Sequence, residues 1–329
     1  MLVVIGRVHS LKASRITSQE INALAKSDRL SGLSLIMSRN STLTLAHCVD
    51  IIPVLKPELT SLSLRFFVLQ PQRFSWRSKT LTSLCLSDVQ VLDTYANNPD
   101  ALPELEMPSL RHVELNADVI QQFLPSIVSC GELSFLKVAS LRSAEFEFGS
   151  KIQQEDFRFQ IGIASNQMNL WPRLYYLELS TCVHQAFVEL LTRCVMLETL
   201  TITVPWNTNP AIINLLLCKL PRLRYLLLAS TSSRTQMTER IIPISQTYDR
   251  CVSAPSLLTI SVEIPLDTAY ITMPNVFECT LYAGTRMRIS SGELARSMPR
   301  LRELTLRNFE IDESKGTGCL LYTSPSPRD

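Results

Sequence analysis

Four histidines and nine cysteines are the residues of this 329-residue chain best suited to metal ligation or nucleophilic chemistry, and their spacing supports neither. His9, His47, His112 and His184 lie far apart and share no ligand spacing. The cysteines at positions 48, 85, 130, 182, 194, 218, 251, 279 and 319 contain no C-x-x-C pair. Glu145 with Glu147, or Glu303 with Glu310, could be read as paired carboxylates, but charge on a solvated strand edge is far commoner. Walker, G-x-S-x-G, H-E-x-x-H and G-x-G-x-x-G motifs are all lacking. An enzymatic reading survives only if the segment near 139–170 forms a pocket with acid or base residues. Neither a metal nor a cofactor is expected.

Scattered cysteines read instead as reduced, buried thiols of a cytosolic or nuclear protein. Their positions support this. Cys48 follows Leu43-x-Leu45 at the offset by which Cys182 follows Leu177-x-Leu179. Cys130 and Cys194 each stand three residues before a leucine that opens a strand-like motif, so they are small core hydrophobes first. Apolar residues make up 46% of the chain and charged residues 19%, enough for an extensive core. A net charge of +2 gives no reason to expect nucleic acid or an acidic membrane surface. No apolar run approaches the roughly 18 residues needed to span a bilayer.

The elements that position these residues repeat. In Trp171 to Ile202, Leu174-x-x-Leu177-x-Leu179 reads as a strand. Val183, Ala186, Phe187, Leu190, Leu191 and Cys194 then recur at helical period, and Leu197-x-x-Leu200-x-Ile202 restores the strand pattern. The same apolar-x-x-apolar-x-apolar template fits Leu30-Leu33-Leu35, Leu59-Leu62-Leu64, Leu81-Leu84-Leu86, Leu110-Val113-Leu115 and Leu133-Leu136-Val138. It returns at Leu223-Leu226-Leu228, Leu257-Ile260-Val262, Val276-Cys279-Leu281 and Leu301-Leu304-Leu306, with Leu43 and Leu45 as a weaker strand. Most starts are about 20–29 residues apart, the spacing of leucine-rich repeats. Six units share a lead-in proline (Pro108, Pro172, Pro221, Pro255, Pro274, Pro299), expected to end the preceding helix and turn the chain into extended geometry.

The predicted fold class is therefore α/β. It is a leucine-rich-repeat solenoid with a curved parallel sheet on its concave face and short helices or irregular segments on the convex one. The second and third apolar residues of each strand should point inward, and the residues flanking the second should point out. Asn209-Pro210 followed by 211–218 predicts a capped short helix. Ile120, Phe123, Leu124, Ile127 and Val128 form another helical stripe, interrupted by Pro125. Two spacers exceed the normal unit: the insertion near 139–170, whose alternation suggests a hairpin, and a polar loop from Ser230 to Thr235.

Outward positions carry the functional signal. Phe135, Tyr176, Tyr225, Glu278 and Glu303 precede the second apolar residue of their strands. Near them lie Tyr175, Glu178, Arg224, Phe277, Tyr282, Arg302 and Arg307, whereas Gly32, Ser61, Ser63 and Ser83 occupy the same surface in the first units. Aromatic and arginine side chains on a rigid concave face are the makings of a protein-binding hot spot. The alternative is that Phe135, Tyr176 and Tyr225 stack along the sheet and cover its backbone.

Both ends fall outside the repeats. Residues 1–29 read as an N-terminal segment or cap. Arg7, Lys12 and Arg15, with no acid before Glu20, also fit a mitochondrial presequence, and a start inside a longer protein is the third reading. The repeats, about eleven of them, span 30–311, followed by a truncated tail at 312–318. The string CLLYTSPSPRD at 319–329 resembles a sequencing-library transposase adapter read in frame. That resemblance implies that these residues are an assembly scar and that the natural chain continues past Gly318.

L-P-R-L-R-Y-L-L-L (220–228), W-P-R-L-Y-Y-L-E-L (171–179) and M-P-R-L-R-E-L-T-L (298–306) resemble the divergent leucine-rich-repeat half of fungal-type F-box proteins. The resemblance runs from about Leu30 to Ile311. It implies substrate recognition for a cullin-RING ubiquitin ligase, the repeats holding a protein target and an F-box docking the adaptor. Residues 1–29 are too short for the F-box module, so this chain departs from the family there. Either an F-box precedes Met1, or the chain is a repeat scaffold or inhibitor unrelated to ubiquitin transfer.

Overall fold

A computed structural model describes residues 10–14, 31–36, 58–65, 68–69, 75–87, 90–91, 104–116, 127, 130–139, 171–183, 185–205, 211–231, 252–263 and 271–312. The chain packs as two compact units, Met1–Leu174 and Tyr175–Asp329. The first contains β1 (Ser10–Ser14), β2 (Gly32–Ile36), β3 (Ser61–Arg65), β4 (Val68–Leu69), β5 (Ser75–Arg77), β6 (Ser83–Ser87), β7 (Gln90–Val91), β8 (Glu104–Glu106), β9 (His112–Asn116) and β10 (Phe135–Ala139). The second contains β11 (Tyr176–Cys182), α1 (Gln185–Leu191), β12 (Thr199–Pro205), α2 (Ala211–Lys219), β13 (Tyr225–Thr231), β14 (Val252–Ser253), β15 (Thr259–Val262), β16 (Ile271–Thr272), β17 (Glu278–Ser290), α3 (Ser291–Ser297) and β18 (Glu303–Asp312). Among the described residues no helix is long and apolar enough to cross a membrane.

Each unit is an α/β or β-rich ladder of parallel strands laid down in chain order. In the first, β1, β2, β3, β6, β9 and β10 pair successively. In the second, β11, β12, β13, β15, β17 and β18 do so. The register follows the apolar template. Leu33, Leu62, Leu84, Val113 and Leu136 stand level across the first ladder, and Leu177, Leu200, Leu226, Ile260, Cys279 and Leu304 across the second.

Burial explains why this register is chosen. Leu62, Leu64, Leu84, Leu177, Leu200, Ile202, Leu228 and Ile260 are wholly buried, so each level of the stack shields the next. A one-residue slip would expose the whole inward set. Burying each leucine contributes about 1.5–3 kcal/mol, and no unit can do so alone. Leu304 and Leu306 are only half-buried, because among the described residues β18 has a ladder partner on one side only.

The lead-in prolines follow the ends of α2 and α3 as expected, at Pro221 and Pro299, but differ in what comes next. They do not start extended chain but occupy the second position of a β-turn. Leu110 N–H donates to Met107 O at 3.1 Å, Leu174 to Trp171 at 3.1 Å, Leu223 to Leu220 at 3.1 Å and Leu301 to Met298 at 3.2 Å. Proline's fixed φ suits that position, and its missing N–H is not needed there. The residue before each proline points inward: Met107, Trp171, Leu220, Ala254, Met273 and Met298 are all buried. Units without proline keep the turn, with Cys130 and Cys194 as the buried first residue.

Directly after each turn a single carbonyl accepts two successive amides of the next unit. Tyr175 O takes Glu198 N–H and Thr199 N–H at 2.8 and 3.0 Å, and Glu198 O takes Arg224 and Tyr225 at 2.8 and 3.0 Å. Ser31, Thr60, Thr82, Arg111, Arg224 and Phe277 repeat this fork. Side chains staple the stacked turns as well. Ser109 Oγ donates to Lys79 O at 2.8 Å, Ser256 Oγ to Pro221 O at 2.6 Å and Asn275 Nδ2 to Pro255 O at 2.7 Å. Glu132 pairs with Arg173 in the same row.

The second layer is mixed. In the first unit it includes short parallel strand pairs, β4 with β7 and β5 with β8, and not only helices or irregular chain. In the second unit α1 packs against α2. Val183, Phe187, Leu190, Leu191 and Cys194 are buried as the stripe predicts, and Val188, off the stripe, is buried too. α2 matches the predicted helix to within a residue. Ser230 and Thr231, expected to open a loop, extend β13 alongside Val204 and Pro205 instead, because β12 itself runs that far.

Three further elements depart from the sequence reading. β1 lies inside the segment assigned as a cap, and Val8-x-x-Leu11-x-Ala13 is a faint copy of the strand template. α3 follows Ser290-x-x-Glu293, a capping-box pattern, with Glu293 in its first turn and Arg296 in its last. Trp171 adopts φ 43°, the left-handed region that bulky residues avoid. It is held there by complete burial and by its indole N–H, which donates to Ile127 O at 3.0 Å. Of the stripe 120–128 only Ile127 is described, helical and wholly buried. The pair Leu43–Leu45, residues 140–170, Asn209–Pro210 and 313–329 lie outside the described residues.

Candidate functional site

Alternation along the strands sorts the outward side chains of the second unit into level rows. The first row runs Tyr176, Thr199, Tyr225, Thr259, Glu278, Glu303. The second runs Glu178, Thr201, Leu227, Ser261, Thr280, Thr305. Just ahead of the strands lies the fork row, with Tyr175, Glu198, Arg224, Phe277 and Arg302. Neighbouring members of a row are about 4.8 Å apart, the spacing of paired strands.

Of the nominated residues, Tyr176, Glu178, Tyr225 and Arg307 alternate outward on the strands, and Tyr175, Arg224, Phe277 and Arg302 lie in the fork row. Tyr175, Tyr225 and Phe277 are 46%, 45% and 39% exposed, and Arg224, Arg302 and Arg307 are exposed as well. Arg224 Nη1 lies 3.9 Å from Glu198 Oε2, a solvent-exposed approach that contributes little. Tyr176 is half-buried and its hydroxyl donates to Glu178 Oε2 at 2.6 Å, which fixes both side chains on β11. Tyr282 and Arg307 pair in register further along β17 and β18; the Tyr282 side chain lies outside the described residues. Tyr176 and Tyr225 do not stack on one another, since Thr199 of β12 stands between them.

Phe135 belongs to the first unit and behaves differently. Its ring lies on the His112 imidazole, with centroids 4.0 Å apart and planes at 11°. For this residue the stacking alternative holds. His112 Nε2 in turn lies 3.2 Å from Glu114 Oε1, and Cys85 Sγ–H donates to Glu114 Oε2 at 3.8 Å. The order is thiol, carboxylate, imidazole, so the sulfur faces an anion and not the imidazole, which would favour a thiolate. Burial, and then the Glu114 carboxylate, raise the Cys85 thiol above its ordinary range, opposite to what a nucleophile requires.

Leu227 is the exposed residue that sequence reasoning missed. It is 40% exposed in the second row, two residues from Tyr225 on the same face of β13. The run Leu226-Leu227-Leu228 hides it among core leucines, but strict alternation from Leu226 would have placed it outside. Val195 and Met196, also exposed, sit in the turn before β12.

The other chemical candidates come apart. Glu303 and Glu310 lie seven residues apart on β18, roughly 20 Å along the strand, and cannot act as a pair. Among the described residues no three His, Cys, Asp or Glu side chains converge on a point that could hold a metal ion. His9, His47, His184, Glu145 and Glu147 lie outside the described residues. Compared with protein-family models and with curated proteins, the chain finds no match.

Proposed function

We propose that this chain is a leucine-rich-repeat module that binds a protein target on the outward face of its parallel strands, and that it is not itself an enzyme. The observation that carries this reading is the exposure of Tyr225 and Leu227 on the outward face of β13, with Tyr175 and Phe277 exposed just ahead of β11 and β17. Large side chains held by a hydrogen-bonded sheet lose little freedom on contact, which is what a hot spot requires. Recurrence of the strand, forked carbonyl and turn at repeat spacing supports the leucine-rich-repeat assignment.

The test is capture of a partner by immobilised wild-type chain and by a Tyr225→Ala/Leu227→Ala/Phe277→Ala variant. Cross-linked peptides of the partner should map to the first and second rows, and the variant should lose them while Arg193→Ala, on the turn after α1, keeps them. Capture that is equal in all three would overturn the assignment of this face.

The finer reading is the repeat region of an F-box-type receptor for a ubiquitin ligase, carried by the resemblance of the three units that end in β11, β13 and β18. Within residues 1–29, Ser10–Ser14 is a strand of the same ladder as the repeats. Recovery of the transcript across both ends decides it. An in-frame F-box that co-purifies with the ligase adaptor makes the chain a substrate receptor; an upstream stop leaves a leucine-rich scaffold or inhibitor.

A further inference from the structure

We propose that the outward face of the second unit takes an extended protein segment bearing an apolar anchor followed by basic residues, the anchor seated on Tyr225 and Leu227 and the cations on Glu278 and Glu303. This rests on the protein-binding reading and specifies the partner's chemistry.

Charge distribution is the first argument. The chain as a whole is slightly positive, at +2. Yet the first and second rows of this unit contain three carboxylates, Glu178, Glu278 and Glu303, and no lysine, arginine or histidine. The nearest arginines are Arg224 and Arg302 in the fork row, where Arg224 faces Glu198, and Arg307, one row beyond Thr305 on β18.

Register is the second. Glu278 and Glu303 are direct partners on β17 and β18, two like charges side by side on an exposed surface, an arrangement that costs stability in the unliganded chain. Neither makes an ion pair among the described residues; Glu278 only accepts a long hydrogen bond from Thr259 Oγ1 at 3.5 Å. A lysine or arginine placed over them would remove the repulsion and gain two acceptors at once.

Spacing is the third. Tyr225 is two strands from Glu278 and three from Glu303, about 10 and 14 Å. A segment laid extended across the strands covers those distances in about three and four residues. Thr259, Ser261 and Thr280 keep the floor between them low.

The probe is a random linear peptide library presented to the full chain at low and high salt. The expected result is enrichment of an apolar residue followed about three or four positions later by lysine or arginine. Glu278→Gln/Glu303→Gln should reduce that enrichment about tenfold, and high salt should reduce it likewise. Both carboxylates are exposed and repel one another, so the variant should keep the wild-type circular dichroism and melt no lower than wild type, which separates lost binding from lost folding.

Peptides lost on Tyr225→Ala/Leu227→Ala but indifferent to the carboxylates would leave the protein-binding reading standing and overturn this one. Enrichment insensitive to both pairs of substitutions, or no enrichment, would overturn both. Salt-sensitive self-association of the wild-type chain, abolished by the glutamine variant, would assign the face to a second copy and also overturn the proposal.

Discussion

Phe135 on β10 lies flat against His112 on β9, ring over ring at 4.0 Å, although the two residues are level partners and not neighbours in sequence. Parallel register makes this unavoidable: side chains at the same level on adjacent strands meet, whatever their types. A single geometric rule thus packs leucines into a core on one side of the sheet and arranges rings, hydroxyls and charges into rows on the other.

The stacked pair should show up as coupling. In a double-mutant cycle of Phe135→Ala and His112→Ala, thermal or urea unfolding should give an interaction on the order of 0.5–1 kcal/mol. Additive single effects would mean that the rings merely lie close.

Leu226 tests the inward side. It is 2% exposed and level with Leu200 and Ile260. Leu226→Ala should cost about 2–5 kcal/mol of unfolding free energy. An unchanged melting temperature would contradict the register of the second ladder.

The strands were legible because leucine at period two, repeated at a regular interval, leaves one way to build a common core. β1 was not, since Val8 and Ala13, smaller than the leucines of the template, do not announce a strand beside Leu11. β4, β5, β7, β8, β14 and β16 are two or three residues long, too short for any period to form. Proline was recognised as punctuation, but its role as the second turn residue depends on a hydrogen bond between Met107 O and Leu110 N–H that no residue type reveals. On the face, Tyr175, Tyr225 and Phe277 stood out as aromatic at positions that should be polar. Leu227 did not, because a leucine beside two core leucines looks like a third.

Trp171 is held at its left-handed φ by burial and one hydrogen bond. Trp171→Phe removes the indole donor but leaves Ile127 O its bond from Cys130 N–H at 3.0 Å. Loss of about 1 kcal/mol in urea unfolding is expected. A variant as stable as wild type would show the indole bond to be incidental.

Buried thiols set an alkaline limit on stability. Burial pushes the Cys130 thiol up to about 11 and the Cys194 and Cys279 thiols up to about 12, from 9.0. Between those values the native state keeps protons that the unfolded chain has lost, so stability falls as pH rises. Their contribution is complete below 9 and lost by about 12. Unfolding free energy should therefore decline across that window, and less steeply in Cys194→Ala/Cys279→Ala. At neutral pH, iodoacetamide should modify exposed Cys218 promptly and Cys130, Cys194 and Cys279 only after denaturant is added, as peptide mass spectrometry would read.

Which side chains a partner can reach depends on alternation along β13, and cysteine accessibility reads that alternation directly. The measurement is the rate of thiol modification, site by site, in Leu227→Cys and Leu228→Cys. Leu227 is 40% exposed and Leu228 wholly buried. Cysteine at 227 should react at the rate of an exposed thiol such as Cys218, and cysteine at 228 should stay protected until the chain unfolds. Equal rates at the two positions, or protection at 227 and reaction at 228, would contradict the register and with it the binding face.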